Sequence, residues 1–168
     1  MPPEPTLRTF IAIELEQDVR DALSRTQGKF KRGAPDGAVK WVNPDSIHLT
    51  LKFLGDTPVS KIGRVADALA AARDLSGSNL LRLEAAVERL VSPLGFPTEE
   101  RGFSPHLTLG RIARNVSPAT EAAVGQLVQD SVVEEIARQR VTAVSFIRSE
   151  LRPAGPVYHT LATAVLGE

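Results

Sequence analysis

The sequence predicts an α+β fold in which antiparallel strands are joined by tight turns as often as by helices. Three observations support this class. Apolar residues alternate near both ends of the chain, apolar residues at helical spacing lie between these segments, and the turn sequences NPDS and RPAGP join consecutive strands. The missing GxxxxGK pattern argues against a nucleoside triphosphate enzyme. A length of 168 residues suits one domain, or two small lobes that share one sheet.

The first half of the chain is predicted to contain a strand, a helix, two strands and a second helix. Alternating apolar residues mark three strands, at Leu7 to Leu15, at 38–42 and at Ile47 to Leu54. Helical spacing marks two helices, one over Gln17 to Arg32 and one that starts at the expected cap, Ser60. On the third strand, the predicted core face carries Ile47, Leu49, Leu51 and Phe53, and the opposite face carries His48, Thr50 and Lys52.

The second half is predicted to contain a helix, a strand, a helix and a hairpin. The helices start near Ser78 and at the Ser117 cap, and an irregular loop leads into a strand at His106 to Ile112. The hairpin consists of strands at Arg140 to Leu151 and Val157 to Leu166, separated by the turn RPAGP.

The composition limits the function classes. Without cysteine, the chain has no disulfides, no thiolate catalysis and no cysteine-rich zinc site. Lys and Arg balance Asp and Glu at 20 each, which argues against coating long nucleic acids through overall charge. A membrane-spanning helix needs about 20 consecutive apolar residues, and no apolar run in the chain is nearly that long. The start MPPEPTLRTFIAIELEQ lacks the features of a signal peptide. We therefore expect a cytoplasmic protein without membrane contact.

The tetrapeptide HLTL occurs twice, at His48 to Leu51 and at His106 to Leu109, in a chain with three histidines. On a strand, residues i and i+2 point to the same side, about 6.5 Å apart. Each copy would therefore bury its leucines and present an imidazole beside a hydroxyl. Two copies could serve one cleft.

Two imidazoles across a ligand can divide the work of phosphoryl transfer, since one removes a proton while the other donates one. The hydroxyls of Thr50 and Thr108 can bind phosphate oxygens. Arg111 offers a forked cation that suits a phosphate. Strict alternation points Arg111 away from the histidines, so this role requires a bend or bulge at Gly110.

The two HLTL copies, together with RTFIAIEL, KFLGD, FSPHLTLGR and SELRPAGPVYHTL, resemble the RNA 2',3'-cyclic phosphodiesterase family. This family was formerly called 2'-5' RNA ligase and belongs to the two-histidine (2H) phosphoesterase superfamily. The resemblance covers most of the chain from Leu7 to Gly167. It implies a single domain over residues 1–168, with two pseudo-symmetric lobes of antiparallel strands, outer helices and a central groove that receives one motif from each lobe.

The resemblance also implies an activity and the residues that perform it. The reaction opens a terminal RNA 2',3'-cyclic phosphate, or a cyclic nucleotide, to a 2'-phosphate without metal or other cofactor. His48 would be the proton donor and His106 the proton acceptor. Its reverse would join RNA ends through a 2'-5' linkage. We expect a monomer.

One departure from the family pattern lies around Asp74 to Leu81. The chain passes almost directly from helix to helix there, where the family has a strand, a glycine-rich turn and another strand. Either the lobe is trimmed or the sequence lacks residues that the natural protein has.

Other residues have simpler interpretations. His159 lacks a matching motif and is expected to be structural or at the surface. Lys52 is as well explained by an exposed lysine as by a phosphate contact. Trp41 and Phe10 could stack on a base, but aromatic residues in strands are more often part of the core. The alternatives to catalysis are a module that binds a nucleotide or RNA end without turnover, and a histidine-based metallohydrolase whose carboxylate ligands cannot be placed.

Overall fold

The computed structural model describes residues 3–72, 79–153 and 155–167. The strands are β1 (Thr6–Glu14), β2 (Val39–Trp41), β3 (His48–Pro58), β4 (Gly110–Ile112), β5 (Ala143–Arg152) and β6 (Gly155–Val165). The helices are α1 (Gln17–Gly33), α2 (Val59–Ala70), α3 (Leu80–Val91) and α4 (Pro118–Asp130). These elements follow the predicted order and confirm the α+β class. None of the helices in the described ranges is long and apolar enough to span a membrane.

The chain divides into two compact units. The first comprises Met1–Glu14, His48–His106 and Arg140–Glu168, and the second comprises Leu15–Ile47 and Leu107–Gln139. The chain therefore passes from one unit to the other next to each predicted histidine: His48 opens a segment of the first unit and His106 closes that same segment.

The first unit contains a four-stranded sheet in the order β3-β1-β5-β6, in which all neighbours are antiparallel. Helices α2 and α3 pack on one face of this sheet. On β1, Ile11 and Ile13 point into the core under the helices, whereas Phe10 and Ala12 belong to a separate apolar cluster. Because side chains alternate along a strand, this second cluster lies on the face away from α2 and α3.

Strand β3 carries two irregularities that change the predicted faces. Its register against β1 shifts between Thr9 and Phe10 and again between Ile11 and Ala12. Each shift adds an unpaired residue to β3 and interrupts the two-residue alternation. Phe53, predicted to face the core, is 48% exposed, and Lys52, predicted to share the face of His48, is only 6% exposed. Both predictions are wrong because the alternation does not run unbroken through the strand.

The second unit is built around the two-stranded antiparallel pair β2-β4, with helices α1 and α4. Its buried residues Val19 and Leu23 on α1 pack with Ile47. The buried side chain of Gln27 donates its amide hydrogens to the carbonyls of Val42 and Leu109, at 2.6 and 2.8 Å. A polar group in this core is thereby satisfied, and the last residue of the second motif is held against α1.

Two predicted boundaries need correction. The strand predicted at His106 to Ile112 is reduced to β4, because β2 offers only three residues as partners and Pro105 has no N–H to donate. Helix α2 begins at Val59, so Ser60 lies inside its first turn and is not the cap. The N–H of Ser60 donates to the carboxylate of Glu4 at 2.7 Å.

Helix α3 begins after the cap residue Asn79, whose side chain accepts from the N–H of Arg82, close to the predicted start near Ser78. Most of the shortened stretch around Asp74 to Leu81, Ser78 included, lies outside the described residues.

Candidate active site

His48 is the first residue of β3 and pairs across the sheet with Glu14, the last residue of β1. Its imidazole stacks on the ring of Phe10, with centroids 4.6 Å apart and planes at 23°. The ring of Tyr158 lies nearly perpendicular to the imidazole, at 5.0 Å and 87°, and to the ring of Phe10, at 5.5 Å and 83°. The half-buried histidine therefore lies on the sheet face away from α2 and α3, in a cluster of three rings in which Phe10 and Tyr158 contact both the imidazole and each other.

Polar groups lie beside this aromatic cluster. The hydroxyl of Thr160 on β6 donates to Glu14 Oε1 at 3.1 Å. Since Glu14 is the cross-strand partner of His48, the pairing places a carboxylate next to the first motif. Glu14, Thr160 and Tyr158 were not singled out from the sequence. The apolar-polar alternation of β6 identified a strand, but which residues meet His48 depends on a register that the sequence does not give.

Thr50 is half-buried and pairs with Ala12 of β1. The register shift comes directly after it, so His48 and Thr50 keep the regular i, i+2 relation predicted for the motif, and the face changes only at Leu51 and Lys52. His48 and Thr50 thus share one face of β3, and Lys52 lies on the other.

His106 lies on an exposed, irregular stretch and not on a strand. Its Nδ1 is 2.9 Å from the carbonyl oxygen of Ser104. A carbonyl oxygen only accepts, so Nδ1 carries the proton in this hydrogen bond. In the neutral ring, the lone pair that can accept a proton then lies on Nε2. This tautomer suits a histidine that removes a proton.

Thr108 and Arg111 belong to the second unit, where both line a cavity of about 440 Å³ together with Trp41. Arg111 pairs with Lys40 across the β2-β4 ladder, and both side chains are exposed. The register of this ladder is one-to-one, so it contains no bulge at Gly110. The bend that would turn Arg111 towards the histidine side is therefore not found here, and its phosphate role stays a prediction.

The third histidine lies at the surface, as expected. His159 Nε2 is 3.2 Å from Glu150 Oε2, with 46% of the histidine side chain exposed. Hydrogen bonds from Arg152 and, second, from His159 hold the pKa of Glu150 below its ordinary value. His159 thus belongs to a surface ion cluster at the β5-β6 hairpin.

Within the described ranges, no three His, Asp or Glu side chains lie close enough together to hold a metal ion. The structure places both histidines and Thr50 in the first unit, and Thr108 and Arg111 in the second.

The chain is similar to known proteins over most of its length. A family model described as LigT like Phosphoesterase matches it twice, over residues 13–78 and 74–158, and each match contains one HLTL copy. A protein from Methanothermobacter thermautotrophicus named RNA 2',3'-cyclic phosphodiesterase is 29% identical, with 90% of this chain and 95% of the relative covered. A protein of the same name from Thermotoga maritima is 30% identical, with coverages of 92% and 93%.

Solved structures with the same fold extend this similarity. A crystal structure of a protein from Thermus thermophilus superposes with a TM-score of 0.68 and 26% identity, covering 96% of this chain and all of the other. E. coli LigT complexed with 3'-AMP superposes with a TM-score of 0.73 over 97% of this chain and 99% of the other. At 19% identity, that second likeness concerns the fold.

Proposed function

The chain belongs to the LigT-like phosphoesterase family, and we propose that it is an RNA 2',3'-cyclic phosphodiesterase. The observation that carries this proposal is the pair of HLTL copies, one in each of the two segments matched by the family model. Curated relatives with this name, similar over about nine tenths of the chain, support the same activity.

The proposed mechanism uses the two histidines as acid and base. His106 Nε2 takes a proton from water, and the water oxygen attacks phosphorus. The bond from phosphorus to the 3' oxygen breaks, and His48 gives its proton to that oxygen. The products are a 2'-phosphate and a 3'-hydroxyl, and the two histidines end with their protonation states exchanged. No metal ion or cofactor takes part in this scheme.

The assignment of roles is supported by the surroundings of each ring. The Nδ1–H of His106 is engaged by the Ser104 carbonyl, which leaves Nε2 as the basic atom of the neutral ring. His48 stacks on Phe10, and an aromatic face attracts a cation, which favours a ring that must start the cycle protonated. We propose that Thr50, Thr108 and Arg111 bind the phosphate oxygens. The reverse reaction would join RNA ends through a 2'-5' bond.

Turnover of a 2',3'-cyclic nucleotide by the purified protein tests this proposal. We expect hydrolysis that persists in excess EDTA and falls by about 10²- to 10⁴-fold in His48→Ala and in His106→Ala. His159→Ala is the matched control and should retain wild-type turnover, because this histidine pairs with Glu150 at the surface.

Each contrary result has a distinct meaning. Wild-type turnover in either motif variant contradicts the two-histidine mechanism, and loss of activity in EDTA contradicts the metal-independent scheme. Binding of a terminal phosphate without any product would instead identify a non-catalytic binding module.

A further inference from the structure

A buried ion pair in the first unit has no part in the proposed chemistry. Lys52 on β3 is 6% exposed, and its Nζ lies 2.7 Å from Glu88 Oε1 on α3. The same ammonium donates to the carbonyl oxygen of Pro97 at 2.7 Å. Among the described residues, this ammonium is the one cation on the buried Glu88 carboxylate, whose oxygens have no other hydrogen-bond donor.

Stability alone is a poor explanation for such a pair. Removing two charges from water costs about as much as their attraction returns, and apolar residues of similar volume are often at least as stable. An ammonium with three hydrogens is, however, strongly directional, and it can fix a carbonyl and a carboxylate at defined positions. The pair is better explained by the position that it gives to the Pro97 carbonyl.

It holds the segment that leads to the second motif. Between the end of α3 and β4, the chain has one short 3-10 turn at Ser92–Leu94 and otherwise no regular structure, so side-chain contacts must fix its path. Lys61 donates to the Leu94 carbonyl at 2.8 Å, and the ring of Phe96 is buried in the core. Further along the same segment, Lys52 donates to the carbonyl of Pro97, as Lys61 does to that of Leu94.

The same lysine lies four residues beyond His48 on the same strand. The contact between Lys52 and Pro97 is therefore a direct link between the strand that carries the first histidine and the segment that carries the second. Beyond Pro97, Phe103 packs against the core of the first unit, which gives this segment a second attachment between the lysine and the imidazole.

We infer that the buried Lys52–Glu88 ion pair is a positioning device for His106. Glu88 fixes the ammonium, and the ammonium fixes Pro97, so that the segment 97–106 keeps one path relative to β3. Lys52 is a positioning residue and touches no substrate in this scheme. The inference rests on the proposed function, because a fixed position of His106 matters for turnover only if His106 is catalytic.

The test replaces the pair with apolar residues in the full chain. Lys52→Met combined with Glu88→Leu removes both charges together and so avoids a lone buried carboxylate. We expect a melting temperature at or above that of the wild type, faster amide hydrogen exchange confined to peptides within 95–109, and a kcat for a 2',3'-cyclic nucleotide lowered about 10-fold with KM changed less than about 3-fold. A role in stability alone would leave kcat unchanged once the fold is retained.

A second variant covers the case in which the double replacement does not fold. Lys52→Arg keeps a cation opposite Glu88, but its longer, planar head does not fit at the position of Nζ and so shifts the donors relative to the Pro97 carbonyl. We expect a folded protein with the same exchange change and a lowered kcat. Wild-type kcat in a folded variant of either kind overturns the inference.

The two proposals fail in different ways. If the wild-type protein does not hydrolyse cyclic phosphates at all, the proposed function fails, and the exchange pattern of 95–109 still reports whether the ion pair holds this segment. If the wild type is active and the folded variants match it in kcat, only the positioning role is lost.

Discussion

Phe10 is the residue that most directly fixes the orientation of His48. It is 3% exposed and stacks on the imidazole at 4.6 Å. Phe10→Leu keeps an apolar side chain in the core but removes the flat surface under the ring. We expect kcat for a cyclic nucleotide to fall about 10-fold, because small misplacements of a catalytic group are costly. Steady-state kinetics on protein with an unchanged circular dichroism spectrum measures this effect.

Phe53 provides the matched control for this substitution. It pairs with Phe10 across the two strands, but its ring is 48% exposed and lies under the guanidinium of Arg8 at 4.6 Å. Phe53→Leu should leave kcat within about twofold of the wild type, as expected for an exposed position. Equal kinetics for the two phenylalanine variants would contradict a specific role for the stack on His48.

At the residue scale, the sequence identifies the site residues that belong to a repeated motif. It does not identify those whose place depends on the register between strands. His48, Thr50, His106 and Thr108 are identifiable because a four-residue pattern occurs twice. Tyr158 and Glu14 have no such signal, since Glu14 approaches His48 through the pairing of β1 with β3, and Tyr158 approaches it through the successive pairing of four strands. Lys52 was assigned to the wrong face because no feature of the sequence marks the register shift beside it.

At the scale of elements, the pair β2-β4 depends on the absence of a side chain at Gly110. A Cβ there would lie 2.6 Å from Val39 Cγ1 and 3.1 Å from Trp41 Cε3. Gly110→Ala must therefore push the two strands apart, and we expect a loss of about 1–3 kcal/mol of unfolding free energy. Urea or thermal unfolding followed by circular dichroism measures it.

Gly125 on α4 is the control for Gly110. Nothing lies within 4 Å of a Cβ built at this exposed helical position. Gly125→Ala should raise the unfolding free energy by about 0.5–1 kcal/mol, since alanine loses less backbone freedom on entering a helix. If both alanine variants change the unfolding free energy in the same direction, close packing around Gly110 is not the reason for the effect of Gly110→Ala.

Helix α3 carries a carboxyl group whose titration affects stability. Burial and, second, the charge of Glu88 raise the pKa of Glu84 above the ordinary value of 4.5, with Lys52 opposing them. The folded state thus binds this proton more tightly than the unfolded chain does. The stabilisation is complete below the ordinary pKa of the unfolded chain and is lost as the pH rises through the raised folded pKa.

Glu84→Gln should therefore raise the melting temperature at pH 7, because glutamine cannot become charged. The gain should shrink as the pH falls through 4.5, where Glu84 is itself protonated in both states. Thermal melts of both proteins from pH 4 to pH 7 measure the difference. A gain that is the same at every pH would show that charge is not its cause.

The elements themselves were predictable to the extent that local pattern decides them. The long strands β1, β5 and β6 and the helices α1 and α4 lie where periodicity and caps predicted them. Strand β4 is shorter than predicted because a strand lasts only as long as its partner, and β2 provides three residues. Such a limit lies in another part of the chain and leaves no mark on the motif sequence.

At the scale of the whole molecule, the two family matches divide the chain into two segments with one histidine motif each. The compact units divide it differently, since both histidines belong to the first unit. The repeated motif could therefore be recognised from the sequence alone. That both imidazoles belong to one unit follows from contacts between distant segments, which only the structure shows.

The central claim is that both histidines open a terminal RNA 2',3'-cyclic phosphate by water attack with departure of the 3' oxygen. The most direct test is product analysis on an RNA oligonucleotide that ends in a cyclic phosphate, with synthetic 2'-phosphate and 3'-phosphate standards. We expect a 2'-phosphate as the product of the wild type, and product formation lowered by about 10²- to 10⁴-fold in His48→Ala and in His106→Ala under the same conditions. A 3'-phosphate product, or equal product from either variant, would contradict it.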